Sequence, residues 1–353
     1  MSMTDYHRKQ LTRIALLLAL FIASAKAVAA EEDATGDDAQ HTYAVLLSGG
    51  RSMLSNHERY WNDCSLMFRM LSERYHIPKR NIMALIADGT DPAPDMIREN
   101  GQGFMSSPSD LDGDGYSDNV RAATIGNLNN LMIDLAMRLS EDDHLFFFIV
   151  DHGNLDEDEQ EGYISMWNNE RLSDAALCRL MNMIHVGAIS IVMGQCHGGF
   201  FAEKLKGNNR VIMTACDKGE VSWACPDRAY DEFIYHWCCA MRGVDDDGLA
   251  VSADTDNDGH TTMYEAFTYA KENDRRDETP QYISSPEELG RRLSFDNIPT
   301  DNDVGIRPIA PCEEPSRQLY TADGRPFGHH QQTPNSIYIE RKQGRTKKIL
   351  HLK

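Results

Sequence analysis

The sequence is short of positive charge. Its 35 Lys and Arg residues stand against 55 Asp and Glu residues, which gives a formal net charge of −20 at pH 7 over 353 residues. Nucleic acids and anionic lipid surfaces are bound through basic faces. The deficit therefore argues against nucleic acid or an anionic membrane surface as the main partner. Much of the acidic excess lies in loops, where cations can neutralise it.

Long apolar runs are also lacking beyond residue 30. The stretch Ile14 to Ala23 is apolar, but it is too short to span a bilayer well. It follows a basic start at residues 7–13 and leads into small residues that end at Ala30, which is typical of a secretory signal peptide. A membrane anchor or a core helix is the alternative. We expect export to the periplasm, the cell surface or the medium, with no membrane span in the mature chain.

The eight cysteines have no zinc-finger spacing. Three of them fall in apolar helix or strand patterns and are predicted to be buried thiols: Cys64, Cys178 and Cys216. Exported proteins often carry disulfides, and four further cysteines are candidates for one: Cys225, Cys238, Cys239 and Cys312. Spacing alone selects no pairing among them.

Two apolar strands end in side chains that suit nucleophilic catalysis. The β-branched run 188–193 is typical of a strand buried on both faces, and Cys196 lies just beyond its end. The run 144–150 ends in the same way at His152 and Gly153. Neighbouring parallel strands would bring both groups to one sheet edge, where open α/β sheets place their active sites. Because a histidine lowers the pKa of an adjacent thiol and protonates a leaving amine, the pair indicates acyl transfer rather than a structural cysteine.

A strand, helix, strand rhythm organises the chain. Apolar strands at 42–47 and 81–87 flank a helix that ends at Pro78, and a strand at 211–215 completes a run of about five. This alternation implies right-handed crossovers and an α/β fold with a mostly parallel sheet. The predicted segments are a signal peptide at 1–30, a linker at 31–41, a main domain at 42–298 and a β-rich tail at 299–353.

The order of these motifs resembles the cysteine peptidases of the caspase-haemoglobinase fold. A His-Gly pair follows one strand and Gln-Cys-x-Gly-Gly follows the next, at a spacing close to the ~50 residues of caspases. Within that group the chain is most similar to the legumain-like family over roughly residues 42–295. Three stretches carry this likeness: Ala44 to Gly49 at the first strand, Thr214-Ala215-Cys216 with Ser222-Trp223, and Tyr230 to Phe233 with Trp237. The resemblance implies a three-layer α/β/α sandwich and a peptidase that takes peptide or protein substrates.

The resemblance also implies roles for the reacting groups. Cys196 would attack the scissile carbonyl, His152 would protonate the leaving amine, and the backbone amides of Gly153 and Cys196 would stabilise the oxyanion. Legumain-like enzymes support the histidine with an asparagine just after the first strand. This chain has Gly50-Arg51-Ser52 there, so no third catalytic member is predicted.

Three further residues match the specificity pocket of the family, which usually selects Asn. They are Arg59, Ser222 and Asp231. Glu220 is close to them in the sequence and would make the pocket more acidic, so a basic residue before the cut is the alternative preference.

Two acidic loops carry oxygen ligands at the spacing that Ca²⁺ uses. The loop 254–265 fits an EF-hand pattern through Asp254, Asp256, Asp258, the His260 carbonyl, Thr262 and Glu265. The loop 110–118 offers Asp110, Asp112, Asp114 and Asp118, but Arg121 replaces the closing glutamate. We expect structural calcium at the first loop and consider an acidic turn an equal alternative at the second. For the first loop the alternative is an acidic cap on the helix that follows.

The tail alternates like three short strands. It is similar to the final part of a type IX secretion sorting domain, which would make an outer-membrane secretion machinery a partner; a plain β meander is the alternative. Two alternatives to a secreted endopeptidase also stay open. One is a transpeptidase of the same family, and the other is a catalytically silent, calcium-stabilised surface-binding protein.

Overall fold

The computed structural model describes residues 37–99, 101–156 and 161–299, together with four strands of the C-terminal segment. The predicted signal peptide and most of the predicted linker lie outside the described residues. Contacts divide the chain into two compact units, Met1–Pro308 and Ile309–Lys353. Within the described part of the chain, no helix has the length and apolar character needed to cross a membrane.

The main domain begins with a short helix and then combines strands with helices along the chain. The strands are β1 (Thr42–Ser48), β2 (Ile82–Ile86), β3 (Met96–Ile97), β4 (Phe104–Met105), β5 (Val120–Arg121), β6 (His144–Ile149), β7 (Gly153–Asp156), β8 (Glu161–Ser165), β9 (Arg171–Ser173), β10 (Ala188–Met193), β11 (Arg210–Thr214), β12 (Gln281–Ser285), β13 (Gln318–Thr321), β14 (Pro326–Phe327), β15 (Ile337–Lys342) and β16 (Arg345–Leu350). The α-helices are α1 (Asp37–Gln40), α2 (Glu58–Arg69), α3 (Ile125–Arg138), α4 (Asp174–Met181), α5 (Gly198–Lys204), α6 (Glu232–Arg242) and α7 (Met263–Asn273).

Seven strands form the central sheet, in the order β12-β11-β10-β6-β1-β2-β5. All neighbours are parallel except β11 and β12, which pair antiparallel. The sheet thus has six parallel strands where about five were predicted, since the two-residue β5 gives almost no signal in the sequence. The antiparallel edge strand β12, QYISS, was not predicted because its polar, half-buried residues do not form an apolar run.

The sheet is covered on both faces. Successive residues of a strand point to opposite faces. Leu46 and Phe146 belong to a buried cluster that includes residues of α2, α6 and α7, whereas the equally buried Leu47 and Phe147 lie outside that cluster. The buried apolar residues of α3, α4 and α5 also lie outside that cluster. The result is a caspase-like α/β/α sandwich, which confirms the predicted fold class.

The C-terminal unit contains a four-stranded antiparallel sheet, in the order β14-β13-β15-β16. Three strands were predicted there. The additional strand, β14, has only two residues and begins with a proline.

One cysteine prediction is wrong. Cys178 is disulfide-bonded and is not a free thiol. Cys225, Cys238 and Cys239, which were candidates for a bridge, are free. An apolar sequence pattern cannot distinguish a disulfide-bonded cysteine from a free one, because a disulfide is as apolar as a buried thiol.

Candidate active site

Two neighbouring strands of the sheet deliver Cys196 and His152 to the same edge. Strands β6 and β10 are parallel, with Ile149 paired to Met193, so each of the two side chains lies three positions beyond a paired residue. The strand ends stay together past the pairing, because a Cβ atom added to Gly153 would overlap the carbonyl oxygen of Cys196. The predicted neighbouring parallel strands are therefore confirmed, and Gly153 contacts the cysteine backbone directly.

Both ring nitrogens of His152 have hydrogen-bond partners. The Nε2 atom lies 2.8 Å from the backbone carbonyl oxygen of Ser55, and Nδ1 lies 3.3 Å from the hydroxyl of Tyr60. Since a carbonyl only accepts, Nε2 carries the hydrogen and the neutral ring accepts the Tyr60 hydroxyl at Nδ1. Burial lowers the pKa of His152, and the positive charges of Arg59 and Arg51 lower it further against the opposing hydrogen bond to Ser55.

Asp151, the residue before the histidine, fixes the loop after β1. Its Oδ2 accepts the backbone amides of Gly49 at 2.5 Å and Gly50 at 2.6 Å, and its Oδ1 accepts the amide of His152 at 2.5 Å. Burial raises the pKa of Asp151 to about 7, although these three donors act in the opposite direction. One carboxyl thereby ties the end of β6 to the turn that follows β1.

The sulfur of Cys196 lies against Ser222. The Ser222 amide nitrogen is 3.3 Å from Sγ, the Ser222 hydroxyl is 3.7 Å away and the Ser222 carbonyl is 3.9 Å away. Within the ranges that the structure describes, these are the hydrogen-bond contacts of the sulfur, and none joins it to His152. The predicted pocket residue Ser222 is therefore placed beside the predicted nucleophile.

The other two predicted pocket residues form a partly buried ion pair. Arg59 Nε donates to Asp231 Oδ1 at 2.8 Å, and the Asp231 amide donates to the carboxylate of Asp63 at 3.2 and 3.3 Å. Burial raises the pKa of Asp231 to about 6, against the opposing charge of Arg59. A second nitrogen of Arg59, Nη2, donates to the Tyr60 hydroxyl at 3.1 Å. Hydrogen bonds thus join Asp231 and Arg59 through Tyr60 to His152.

A carboxyl pair lies under the segment that holds Ser222. Glu278 Oε2 accepts the amide of Trp223 at 3.1 Å, while its Oε1 is buried without a hydrogen-bond partner among the described residues. Burial and the adjacent Asp274 raise the pKa of Glu278 to about 10, so the pair holds a proton at neutral pH. Glu220, which was predicted to acidify the pocket, accepts both the amide and the hydroxyl of Thr279 at 2.8 Å.

A comparison with known protein families identifies the family of this chain. The model of the Peptidase C13 family matches residues 42–288, which is most of the chain. The chain belongs to the Peptidase C13 family. It is a cysteine peptidase of the legumain kind, so its substrates are peptides or proteins, and the resemblance inferred from the motifs is confirmed.

Among solved structures, this Peptidase C13 protein is similar to protein GSU0716 from Geobacter sulfurreducens. The match has a TM-score of 0.45 and 11% sequence identity, and it covers 73% of this chain and 99% of that chain. No curated protein matches the chain.

Both predicted calcium loops of this family member bring carboxylates together. At the loop 254–265, oxygens of Asp254, Asp256 and Glu265 lie within 4.8 Å of one another. Asp254 accepts the amides of Asn257 and Gly259, whose φ angles of 61° and 95° give the tight turn of such loops.

Glu265 and the remaining residues of this loop have partners within the protein. The carboxylate of Glu265 accepts hydrogen bonds from Thr255 and Thr262 and forms a capping box with Thr262 at the start of α7. Asp258 accepts the amide of His260, and the imidazole of His260 lies 3.0 Å from Asp296.

At the loop 110–118, a lysine lies among the carboxylates. Oxygens of Asp110, Asp112 and Asp118 are within 4.8 Å of one another. The Lys79 ammonium is 2.5 Å from Asp112 and 2.6 Å from Asp114. A cation from the chain itself therefore already neutralises part of this loop.

Two groups at the active-site edge of this peptidase were not predicted from the sequence. One is the Ser55 carbonyl, a backbone group that leaves no signature in the sequence. The other is Tyr60, which directly follows Arg59 and lies on the same turn of α2. Because Arg59 was already predicted to line the pocket, its direct neighbour Tyr60 could have been considered for the same site.

Proposed function

We propose that this chain is an exported cysteine endopeptidase in which Cys196 and His152 form the catalytic dyad. The observation that supports this most is the parallel pairing of β6 and β10, which brings the two residues to one edge of the sheet in a Peptidase C13 chain. Within the described residues, Cys196 is also the free cysteine that is least buried.

The dyad works by proton exchange across a bound peptide. The Cys196 thiol gives its proton to His152, and the thiolate attacks the carbonyl carbon of the scissile bond. The imidazolium then protonates the leaving amine, and the neutral ring later takes a proton from the water that hydrolyses the thioester. The Ser55 carbonyl holds the Nε2 hydrogen, so Nδ1 is the nitrogen that exchanges the proton. The amides of Gly153 and Cys196 donate to the oxyanion.

The pocket for the residue before the cut is formed by Arg59, Asp231 and Ser222. Arg59 donates from Nε to Asp231 and from Nη2 to Tyr60, and a substrate oxygen can accept from the same Nη2 group in place of Tyr60. Asp231 supplies an acceptor for a substrate N–H group. A side-chain amide satisfies both, so we propose a preference for Asn, with a basic residue as the alternative.

We propose that Ca²⁺ binds the loop 254–265 in a structural role. The residues fit because the carboxylates of Asp254, Asp256 and Glu265 converge on a turn of the right shape, and each supplies the hard oxygen ligands that this ion prefers. At 110–118 the ion would have to displace Lys79, so we propose weaker binding there, through Asp110, Asp112 and Asp118.

We also propose that residues 1–30 direct export and that the tail engages an outer-membrane secretion machinery. The support is the signal-peptide pattern at the start of the chain and the likeness of the tail to a sorting domain. N-terminal sequencing of the protein recovered outside the cytoplasm tests the first point, with a new N-terminus near residue 31 expected. Intact residues 1–30 in the exported protein would contradict it. Deletion of residues 309–353 tests the second, since it should leave the protein in the periplasm.

The decisive experiment is covalent labelling of the nucleophile. A peptidyl acyloxymethyl ketone with Asn at the reactive position should label wild-type protein at Cys196 and should not label Cys196→Ala or His152→Ala. Both variants should also lose peptide hydrolysis. Cys239→Ala, which removes another free cysteine, is the matched control and should keep both activities.

The same experiment separates the alternatives. Absence of labelling in the wild-type protein would support a silent binding protein and overturn the proposal. Products joined to an added amine nucleophile, in place of hydrolysis products, would identify a transpeptidase. A peptide library with varied residues before the cut tests the pocket, and a preference for large apolar residues would contradict its assignment.

A further inference from the structure

The nitrogen of His152 that has to accept a proton is already accepting a hydrogen bond. Nε2 carries a hydrogen and donates it to Ser55, so the neutral ring can act as a base only through Nδ1. That nitrogen receives the Tyr60 hydroxyl at 3.3 Å. The Cys196 sulfur is engaged with Ser222 instead. The dyad therefore starts from an arrangement in which the base is occupied.

Of the two bonds on the ring, the one to Tyr60 is the one that can open. It is longer, at 3.3 Å against 2.8 Å for the bond to Ser55. Long hydrogen bonds are weaker than bonds near the ideal distance. Breaking it also frees Nδ1, whereas breaking the bond to Ser55 would free only a nitrogen that carries a hydrogen.

Tyr60 is linked to the pocket as well as to the ring. Its hydroxyl oxygen accepts from Arg59 Nη2 at 3.1 Å, and the Arg59 guanidinium lies 4.5 Å from the centroid of the Tyr60 ring. A hydroxyl that accepts from a cation becomes a better donor, because hydrogen bonds in a chain polarise one another. Arg59 thereby strengthens the bond from Tyr60 to His152. A substrate oxygen that takes over the Arg59 hydrogen would weaken it.

We propose that Tyr60 is a positioning residue that holds Nδ1 of His152 in the free enzyme and releases it when a substrate side chain engages Arg59. The proposal rests on the proposed function. On release, the Cys196 proton passes to Nδ1, which leaves a thiolate and an imidazolium that still donates from Nε2 to Ser55. Binding of the preferred side chain thus prepares the base, and substrates without it meet a histidine that is still occupied.

If Tyr60 served only to pack against its neighbours, Tyr60→Phe should behave like the wild-type protein. The rings of Tyr60, His57 and His152 contact one another edge-on, with centroids 5.4 to 5.6 Å apart, and phenylalanine would keep those contacts. Tyr60→Phe removes only the hydroxyl. The titratable and charged groups around the pair are Arg51, His57, Arg59, Asp151, Cys196 and Asp231, and all of them remain in this variant.

The test measures alkylation of Cys196 by N-ethylmaleimide against pH, read by mass spectrometry of the Cys196 peptide. Among the residues that the structure describes, the five other free cysteines are buried, which keeps the readout specific. In Tyr60→Phe the freed Nδ1 takes the thiol proton more readily, so the profile should shift to lower pH. At pH 7 the rate should rise about three- to tenfold, as expected for the loss of one hydrogen bond. The ratio of kcat/KM for Asn over Ala before the cut should fall.

Tyr75→Phe is the matched control. Tyr75 is also buried, and its hydroxyl donates to the Met241 carbonyl, away from the dyad. Its alkylation profile should match the wild type. An unchanged or slower profile in a folded Tyr60→Phe protein would overturn the proposal.

A second measurement needs no variant. Acetamide carries the amide group of an asparagine side chain and should accelerate alkylation of the wild-type protein by engaging Arg59. Protection or no effect would count against release through the pocket. If wild-type Cys196 shows no reactivity above that of a denatured thiol, the proposed function itself fails, which is a different result from an unshifted variant.

Discussion

The imidazole of His152 donates its Nε2 hydrogen to the backbone carbonyl of Ser55 across 2.8 Å. The turn that carries this carbonyl is held on both sides. Ser55 Oγ donates to the Gly50 carbonyl at 2.9 Å, and the next residue, the buried Asn56, donates its side-chain amide to the Asp95 carbonyl at 3.0 Å. The histidine is thus oriented by the main chain, and the position of that main chain depends on Asn56.

Asn56→Ala should impair catalysis more than Ser55→Ala. The first change removes the anchor of the turn and leaves the Asp95 carbonyl without this donor, so the Ser55 carbonyl shifts away from the ring. Misplacement of an orienting group by about 1 Å costs roughly 100-fold in rate, so a fall in kcat of about ten- to a hundredfold is expected. Ser55→Ala keeps the carbonyl and should change kcat less than about threefold. Equal losses in steady-state kinetics would place the role in the Ser55 side chain.

Gly153→Ala should separate the two strand ends. A methyl group there would overlap the Cys196 carbonyl oxygen and lie 2.9 Å from the Gln195 side chain. Overpacking of this kind costs about 1–3 kcal/mol of stability, because backbone and not a flexible chain end has to move. We expect a lower melting temperature and a loss of peptide hydrolysis of at least about a hundredfold.

Gly219→Ala is the control for that change. Its added methyl group meets nothing within 4 Å, so stability and activity should stay at the wild-type level. Wild-type kinetics in Gly153→Ala would show that the strand ends have more room than the structure gives them.

The sheet and the positions of the two proposed catalytic side chains could be predicted because they depend on apolar runs. Strands β6 and β10 are buried along their whole length, so each is a continuous apolar stretch in the sequence. Parallel strands that are separated by helices have their carboxyl ends at the same edge of the sheet. The residues just after each apolar run can therefore be assigned to that edge from the sequence alone. Cys196 and His152 were found in this way.

The environment of those side chains could not be predicted, because it depends on contacts between distant segments. The Ser55 carbonyl is a backbone group, and every residue carries one. The hydrogen bond of Tyr60 depends on the rotation of α2, and the pairing of Glu278 with Asp274 depends on a loop that folds back under Trp223. None of these has a spacing or periodicity that single-sequence patterns can detect.

Removal of calcium should lower the stability of the main domain. At a free Ca²⁺ concentration 100 times the dissociation constant, one site adds about 2.7 kcal/mol, which thermal unfolding with and without a chelator will detect. Asp256→Asn should reduce this difference. Asparagine keeps an oxygen to accept the Asp258 amide but lacks the charge that holds the ion, so stability without calcium should stay unchanged.

Asp277→Asn, which alters an exposed aspartate outside both loops, should leave the calcium effect intact. A melting temperature that does not respond to calcium in the wild-type protein would rule out the site at 254–265.

Glu278 should contribute stability that is lost as pH rises from about 4.5 to 10. Its pKa is raised from 4.5 to about 10 by burial and by Asp274, so the folded protein keeps a proton that the unfolded chain loses. This contribution is complete below 4.5 and is lost as pH climbs to the folded-state value. Glu278→Gln keeps an acceptor for Trp223 and offers an amide hydrogen to Asp274. The variant should therefore match the wild type in acid and melt at a higher temperature at pH 8.

Glu73→Gln, at an exposed site, should follow the wild type throughout. Parallel curves of melting temperature against pH for wild type and Glu278→Gln would mean that this carboxyl is ionised in the folded protein, and that the pair under the Ser222 segment holds no proton at neutral pH.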